Sequence, residues 1–523
     1  MLSQKIEKLL LAPSWCRAES ILEMVSEPCQ RTRKRRMFLL DGPETNQGRV
    51  HPTRQKEDAM RITRCLSMAI VVLCCLGLLF QTAALAETKP KAAFNFAKFP
   101  DMSDFDPNNP MPLKGDTIKI AVVASHSGPA ATVGEIYYIS VLWAAHIANK
   151  QGGLMVDGKK KMVEVIKADT QSKPDVTKKV TERMILQENV DFLWGTNGSH
   201  LQKVINQVAD KYKKISVNAA SLSDELQEGG DFSRYSFMCT FSTEQIGRGI
   251  AYYYGQIRKK EKKFYILCQD YLFGHSMAEG FKKGLKEYYP EAEIVGEDYH
   301  KLFLTDFAPY LTKIQASGAE VVYTGDWIPD AANLLKQARQ MGIKIPFADI
   351  FMDEPRFLQE VGIEGTKGIV NLAQYGNGNP AFKSEDQIKY YKTWLNLWKT
   401  KWQAPYNTVL YNHGTGNIGA YIGSTLWLLS VVERAASTDP EKIIKVWEGD
   451  TYQLPNGQVL EMRACDHKQI TPLSVNEYVP PEEQKQSFNI APYYWFNDFS
   501  NVGPSTLLPM DKVVPKADPN LCK

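Results

Sequence analysis

From Asp116 onward the chain repeats one pattern: a short apolar run, a turn of small polar residues, then an amphipathic stretch of helix length. TIKIAVVA, MVEVIKAD, VDFLWGT and KISVNA read as strands, separated by helices over 134–150, 173–188 and HLQKVINQVADKY. Apolar runs bounded by turn signals and alternating with helices dictate βαβ units and a parallel sheet. The pattern restarts after Phe241. GRGIAYYYGQIRKK, SMAEGFKKGLKEYY, FAPYLTKIQASG and DAANLLKQARQMG read as helices there, and KKFYILCQD, AEIVGEDYH, EVVYTGD and IPFADIF as strands. Two such units in tandem predict an α/β protein of two lobes with a cleft between them.

Open parallel sheets bind ligands outside the carboxyl ends of their strands. Five turns fall there: SGPAATVG (127–134), GTNGSH (195–200), NAAS (218–221), DYLFG (270–274) and TGDW (324–327). Ser127, Ser199 and Ser221 each stand just before a predicted helix, where free backbone N–H groups and the helix dipole favour an anion such as a carboxylate. Phe273 and Trp327 offer flat apolar area, and Asp326 a partner for a cation. His200 and His275 lie beside these turns and read as solvated or capping residues.

The motifs of catalysis are missing or misplaced. HGTGNIGAYIG holds G-x-G-x-x-G at Gly414, Gly416 and Gly419, but no apolar strand follows at the distance a dinucleotide fold requires, so helix packing through small residues is the better reading. There is no G-x-x-x-x-G-K-[ST], H-E-x-x-H or G-x-S-x-G. Asp353 and Glu354 are adjacent, so their side chains diverge and make a poor acid–base pair. Binding is favoured over chemistry, and no cofactor is implied.

Charge and cysteine placement set the front of the chain apart. Of the 523 residues, those up to Ala86 hold 13 Lys and Arg against 8 Asp and Glu, whereas the remainder holds 49 against 51. A near-neutral body excludes nucleic acid as the expected partner. Arg61 and Arg64, the apolar CLSMAIVVLCCLGLLF and the Ala84-Leu85-Ala86 triplet form a secretory signal, with cleavage expected after Ala86. The rival is an uncleaved anchor over Leu66–Ala86, just long enough to span a bilayer. Residues 1–59, with RTRKRR at 31–36, read as a misassigned start ahead of Met60 or a disordered extension. Cys16, Cys29, Cys65, Cys74 and Cys75 precede the cleavage point, and no lipid anchor is expected at Cys74 or Cys75. Cys239, Cys268, Cys465 and Cys522 remain, with three pairings open and no C-x-x-C spacing; a Cys465–Cys522 link would tie down the tail.

From about Asp116 to Pro480 the chain resembles the leucine/isoleucine/valine-binding protein family, the type I periplasmic solute-binding proteins of branched-chain amino acid ABC importers. IKIAVVASHSGPAATVG, ANKQGGL, DTQSKPDVTKKV, GTNGSH, SVNAASLSDEL, QDYLFGHSMAEGF, TDFAPYLTKIQASGAEVVYTGDW and RACDHKQITP follow in the family's order. The resemblance implies a two-lobed type I fold, each lobe a mostly parallel sheet flanked by helices. It also implies that Ser199, Ala219, Ala220 and Ser221 hold the ligand's carboxylate and amino group while Phe273 and Trp327 close over it. Phe351 stands where the family has the carboxylate for the amino group, with Asp349 and Asp353 two residues either side, and Val133 stands where an aromatic is common. Without that carboxylate a buried ammonium lacks a partner. A different small carboxylate is then expected, an aromatic acid or amide, unless Asp326 or Asp349 serves instead.

The organisation expected is a lead-in over 87–115, lobe 1 from 116–240 plus 370–458, lobe 2 from 241–369 plus 459–481, and a tail over 482–523. Hinge crossings are expected near 239–242, 365–370 and 457–462. The resemblance implies a monomer that delivers its ligand to ABC permease and ATPase subunits in the periplasm. The alternative class is a membrane-held sensor.

Overall fold

The computed structural model describes residues 100–327, 329–352, 355–373, 393–394, 396–398, 400–406, 421–454, 459–479, 502–517 and 519–522. The signal segment, RTRKRR, the five front cysteines, Asp353, Glu354 and the glycines at 414–419 lie outside them.

The first sheet takes strands β1 (Thr117–Ala124), β2 (Leu154–Val156), β3 (Lys159–Asp169), β4 (Phe192–Trp194), β5 (Ile215–Asn218) and β6 (Ser236–Met238) in the order β2-β3-β1-β4-β5-β6. All pairings are parallel except β2 with β3. Those two form a hairpin through Asp157 and Gly158, both at positive φ, which a tight hairpin turn demands. β1 is buried on both faces along its second half, because helices α1 (Ala131–Lys150), α2 (Pro174–Leu186) and α3 (Ser199–Tyr212) cover the sheet.

The second sheet repeats the plan. β7 (Lys263–Gln269), β8 (Glu293–His300), β9 (Val321–Tyr323), β10 (Phe347–Asp349) and β11 (Ile369–Ala373) run parallel in the order β8-β7-β9-β10-β11. The first and second strands thus swap places in both sheets, which puts a switch point, the usual ligand crevice, at the end of β1 and again at the end of β7. Helices α4 (Thr243–Tyr252), α5 (Leu272–Tyr288), α6 (Ala308–Ser317), α7 (Asp330–Gln340) and α8 (Pro355–Thr366) accompany this sheet.

The lobe boundaries differ from those expected. β11 pairs with β10 and with β15 (Ser474–Tyr478), so residues through Ala373 belong to lobe 2 and the chain does not cross at 365–370. The return to lobe 1 is complete by Trp394 and Trp402, whose rings sit 4.9 and 6.3 Å from Trp143 of α1. Helices α9 (Gly423–Ala435) and α10 (Pro440–Trp447) follow, α9 against α1. A small antiparallel sheet comes next: β12 (Thr451–Gln453), β13 (Val459–Met462) and β14 (Gln469–Ile470). This sheet stays with lobe 1, because the Met238 N–H at the end of β6 donates to the His467 carbonyl at 2.9 Å and the His467 ring stacks on Phe237 at 4.1 Å. The next crossing is therefore at 471–473 rather than 457–462. The tail is no loose end: β16 (Val502–Leu507) extends the second sheet beside β15, and α11 (Met510–Val513) follows. The lead-in has no regular element over its described part, but its Met102 and Phe105 are buried, Phe105 edge-on to Trp143 at 4.9 Å. Burial of these side chains, invisible to periodicity, anchors the segment to lobe 1.

Candidate ligand site in the interlobe cleft

The cleft enclosed by the two sheets' carboxyl ends holds about 470 Å³ of non-atom space, part of it open to solvent.

On the lobe 1 side the wall is built by two turns. After β5, the Asn218 side chain folds the chain over: its Oδ1 accepts from the Ser221 N–H at 2.9 Å and its Nδ2 donates to the Ser221 carbonyl at 2.8 Å. This turn presents Ala220, Ser221 and Leu222 to the cleft. After β4, Asn197 Oδ1 accepts from the Ser125 N–H at 3.1 Å and so ties the ends of β4 and β1 together. Gly198 has φ 103°, and a Cβ there would come 3.1 Å from His200 Cε1, so glycine is required. Ser199 then opens α3, buried, its hydroxyl accepting from the Ser223 N–H at 3.4 Å. The Leu201 and Gln202 N–H groups donate to the Gly198 carbonyl at 3.0 and 3.1 Å, so of the first turn of α3 the Ser199 and His200 N–H groups are those a ligand anion could engage. Val133 and Tyr137 of α1 complete this side with Tyr421. Their helix can lie this close because Gly134 rests on β1's end, where a Cβ would fall 2.0 Å from the Ser125 carbonyl oxygen.

Lobe 2 supplies Tyr271 and Phe273 after β7, Trp327 after β9 and Phe351 after β10. The Trp327 indole N–H donates to the Tyr271 hydroxyl at 3.1 Å. Burial pushes the Tyr271 phenol far above its ordinary range, so it stays neutral and keeps its own proton to donate. The His200 ring of lobe 1 meets Tyr271 edge-on at 5.3 Å across the cleft; burial pulls its pKa down, which keeps the imidazole neutral.

Of the residues expected to contact ligand, Ser199, Ala220, Ser221, Phe273, Trp327 and Phe351 line the cleft. Four do not. Ser127 faces outward and donates to Asp169 Oδ2 at 2.6 Å. Ala219 is buried behind its neighbours. Asp326 is fully buried against His300, with Nε2 to Oδ2 at 2.9 Å. Asp349 is turned inward, its Oδ1 accepting from the Ile350 N–H and, at 3.1 Å, from the Phe351 N–H. Neither acid at a strand end is therefore offered to the cleft. His275 is exposed and bonds Asp270 at 2.9 Å. Tyr137, Tyr271, Asn197, Gly198, Leu222 and Tyr421 were not singled out from sequence. Tyr271, Asn197 and Gly198 sit within turns that were; Tyr137 and Tyr421 belong to helical stretches where an aromatic reads as core.

No group of His, Cys, Asp and Glu suited to a metal ion occurs among the described residues. Cys465 and Cys522 form a disulfide with Cα atoms 4.9 Å apart, while Cys239 and Cys268 are buried thiols.

A sequence model of the periplasmic binding protein family matches residues 117–482. The chain belongs to that family. This periplasmic binding protein is 30% identical over 235 residues to an amino acid binding protein of Pseudomonas aeruginosa, a match spanning 44% of this chain and 59% of the relative, less than two thirds of its length. It is 27% identical over 285 residues to the Leu/Ile/Val-binding protein homolog 4 of Brucella abortus, spanning 52% of this chain and 67% of the other. Among solved structures it resembles a solute binding protein of an ABC transporter from Rhodopseudomonas palustris BisB5, in complex with 3,4-dihydroxybenzoic acid. That likeness has a TM-score of 0.61 and 17% identity, and covers 75% of this chain and 97% of that one. The two-lobed fold is shared with that structure.

Proposed function

We propose that this periplasmic binding protein captures a small aromatic carboxylate and delivers it to an ABC permease and its ATPase. One observation carries the reading: the described cleft residues include six aromatic side chains and no charged one. An α-ammonium buried there would have no carboxylate to pair with among the described residues, a cost of several kcal/mol. An aromatic acid asks only for anion donors and ring contacts. Ser199 and the open N-terminus of α3 would hold the carboxylate, and Phe273, Trp327 and Phe351 would pack on the ring. The dihydroxybenzoate held by the Rhodopseudomonas palustris protein supports this choice. Ligand bridging both lobes stabilises the closed form, which the permease reads. The chain acts without chemistry on its ligand, as a monomer exported with its signal cleaved after Ala86.

Calorimetric titration of the purified chain with benzoate, 4-hydroxybenzoate, 3,4-dihydroxybenzoate, leucine and valine tests the reading. An aromatic acid should bind at least ~100-fold more tightly than either amino acid, a difference of about 2.7 kcal/mol. Tighter binding of leucine or valine would sink the proposal and point to an acidic residue outside the described set. Trp327→Ala should weaken the aromatic acid roughly 10- to 100-fold through lost apolar contact, with little change in the unfolding midpoint of the unliganded protein.

A further inference from the structure

The C-terminal segment connects the two lobes once more. Its first part is fixed to lobe 2. β16 pairs with β15, and the Leu508 N–H donates to the Leu473 carbonyl at 2.9 Å. Leu508 and Val513 are buried in the lobe 2 core. The Lys512 carbonyl accepts from Arg248 Nη2 of α4 at 2.8 Å and from the Tyr288 hydroxyl of α5 at 2.5 Å. Two residues beyond Val513 the attachment changes sides. The Pro515 carbonyl accepts from Arg463 Nη1 at 2.7 Å, and Cys522 is bonded to Cys465.

The Arg463–Lys468 turn belongs to lobe 1. Gln227 donates to the Asp466 carbonyl at 3.0 Å, and Lys468 Nζ reaches Asp224 at 2.9 Å, both partners following β5. The disulfide therefore does not close a loop inside one lobe. Its partners are 57 residues apart, and the chain between them leaves lobe 1 at 471–473, builds the edge of the lobe 2 sheet and returns.

We infer that residues 514–522 are a covalently ended tether beside the hinge, which limits how far the two lobes open. A polypeptide spans at most ~3.3–3.6 Å per residue. The step from Val513 to Pro515 thus leaves little slack between an anchor on lobe 2 and one on lobe 1, and the disulfide stops the segment from peeling away. The inference rests on the two-lobed hinge and is independent of the ligand's identity.

The test uses the full chain without ligand. Two variants are compared with the parent: Cys465→Ser with Cys522→Ser, and a slack variant with six Gly/Ser residues inserted between Val514 and Pro515 and both cysteines kept. Intact mass under non-reducing conditions should show Cys465 and Cys522 linked in the parent and the slack variant. Small-angle scattering should show both variants expanded, with a radius of gyration larger by on the order of 1 Å. Amide exchange at 239–242 and 471–473 should quicken roughly tenfold in both. If the slack variant matches the parent in both readouts, the bond is only a local staple and the tether is refuted. Free thiols at Cys465 and Cys522 in the parent would refute it too. Should the serine variant fail to fold, the slack variant decides alone.

Discussion

Replacing Lys468 with alanine is expected to destabilise the chain by about 3–5 kcal/mol, the usual cost of stranding a buried charge. Lys468 Nζ lies 2.9 Å from Asp224 Oδ1 and 2.7 Å from Glu228 Oε1, and its side chain is 7% exposed beside an Asp224 side chain at 8%. Burial opposes both charges, yet each outweighs the other's penalty. The Asp224 carboxyl is held below its ordinary range by the Lys468 charge, and Lys468 is raised by Asp224 and Glu228. Asp224 Oδ2 is already committed, accepting from Thr243 Oγ1 at 2.7 Å and the Glu244 N–H at 2.6 Å. Those donors open α4, the first helix of lobe 2, so the pair sits where 239–242 and 471–473 cross between lobes. Without the ammonium, Asp224 must either keep an uncompensated charge or take up a proton, and both options cost stability. Urea unfolding of Lys468→Ala at pH 7 measures the loss; a shift below 1 kcal/mol would show that water reaches Asp224. Lys468→Met with Asp224→Asn should recover much of it, because apolar or neutral groups of like size replace a buried pair at small net cost. The depressed Asp224 pKa adds a pH signature. Its stabilisation is present above the unfolded value and disappears as pH falls through the folded one.

The alternation of strand and helix was legible because parallel strands buried on both faces are unbroken apolar runs, and β1, β4 and β5 stand where such runs lie. Pairing was less so. The Asp157-Gly158 dipeptide signals a hairpin, yet β2 has only three residues and no period to reveal it. The antiparallel neighbour of β11, β15, comes about a hundred residues later, and nothing local records that register. At the cleft, the rule that ligands sit at strand carboxyl ends found the turns but not the direction of each side chain. Asp326 and Trp327 are neighbours in an extended turn. One points into the core towards His300 and the other into the cleft. Successive residues of extended chain face opposite ways, so an acid at a strand end is as readily buried as presented. Tyr137 illustrates the converse. An aromatic on an apolar helix reads as core, and only the fall of α1 against β1 at Gly134 brings its ring to the cleft wall.

Asp330→Asn is expected to stabilise the protein by about 2–3 kcal/mol at pH 8 and by almost nothing at pH 4. Asp330 is fully buried at the start of α7, one turn beyond Trp327. Its Oδ2 accepts from Gln269 Nε2 at 2.7 Å and the Phe303 N–H at 2.9 Å, while Oδ1 is without a hydrogen-bond partner among the described residues. Burial, reinforced by the nearby Asp326 charge, pushes its pKa up to about 6. The folded state therefore holds a proton that the unfolded chain gives up near pH 4. Stability falls as pH rises between those values, and the whole cost, about 1.4 kcal/mol per pKa unit, is in force above pH 6. Asparagine keeps both accepted hydrogen bonds through its carbonyl, and the Asp326 charge that repels a second carboxylate attracts the amide N–H. His300 acts in the same direction. Its two ring nitrogens face acceptors only, Asp326 Oδ2 at 2.9 Å and the Lys301 carbonyl at 3.0 Å, so the bonded ring carries both protons. Burial works against that charge, but Asp326 prevails and the His300 pKa is raised. Its stabilisation is full below the unfolded pKa and lost as pH rises through the folded one; the Asp330 charge adds to that rise, so this contribution is smaller in the variant. Urea midpoints at pH 4, 6 and 8 should then show the two proteins converging in acid and separating in base while both weaken above neutrality. A constant gap across that range would mean that Asp330 is protonated, or solvated, throughout.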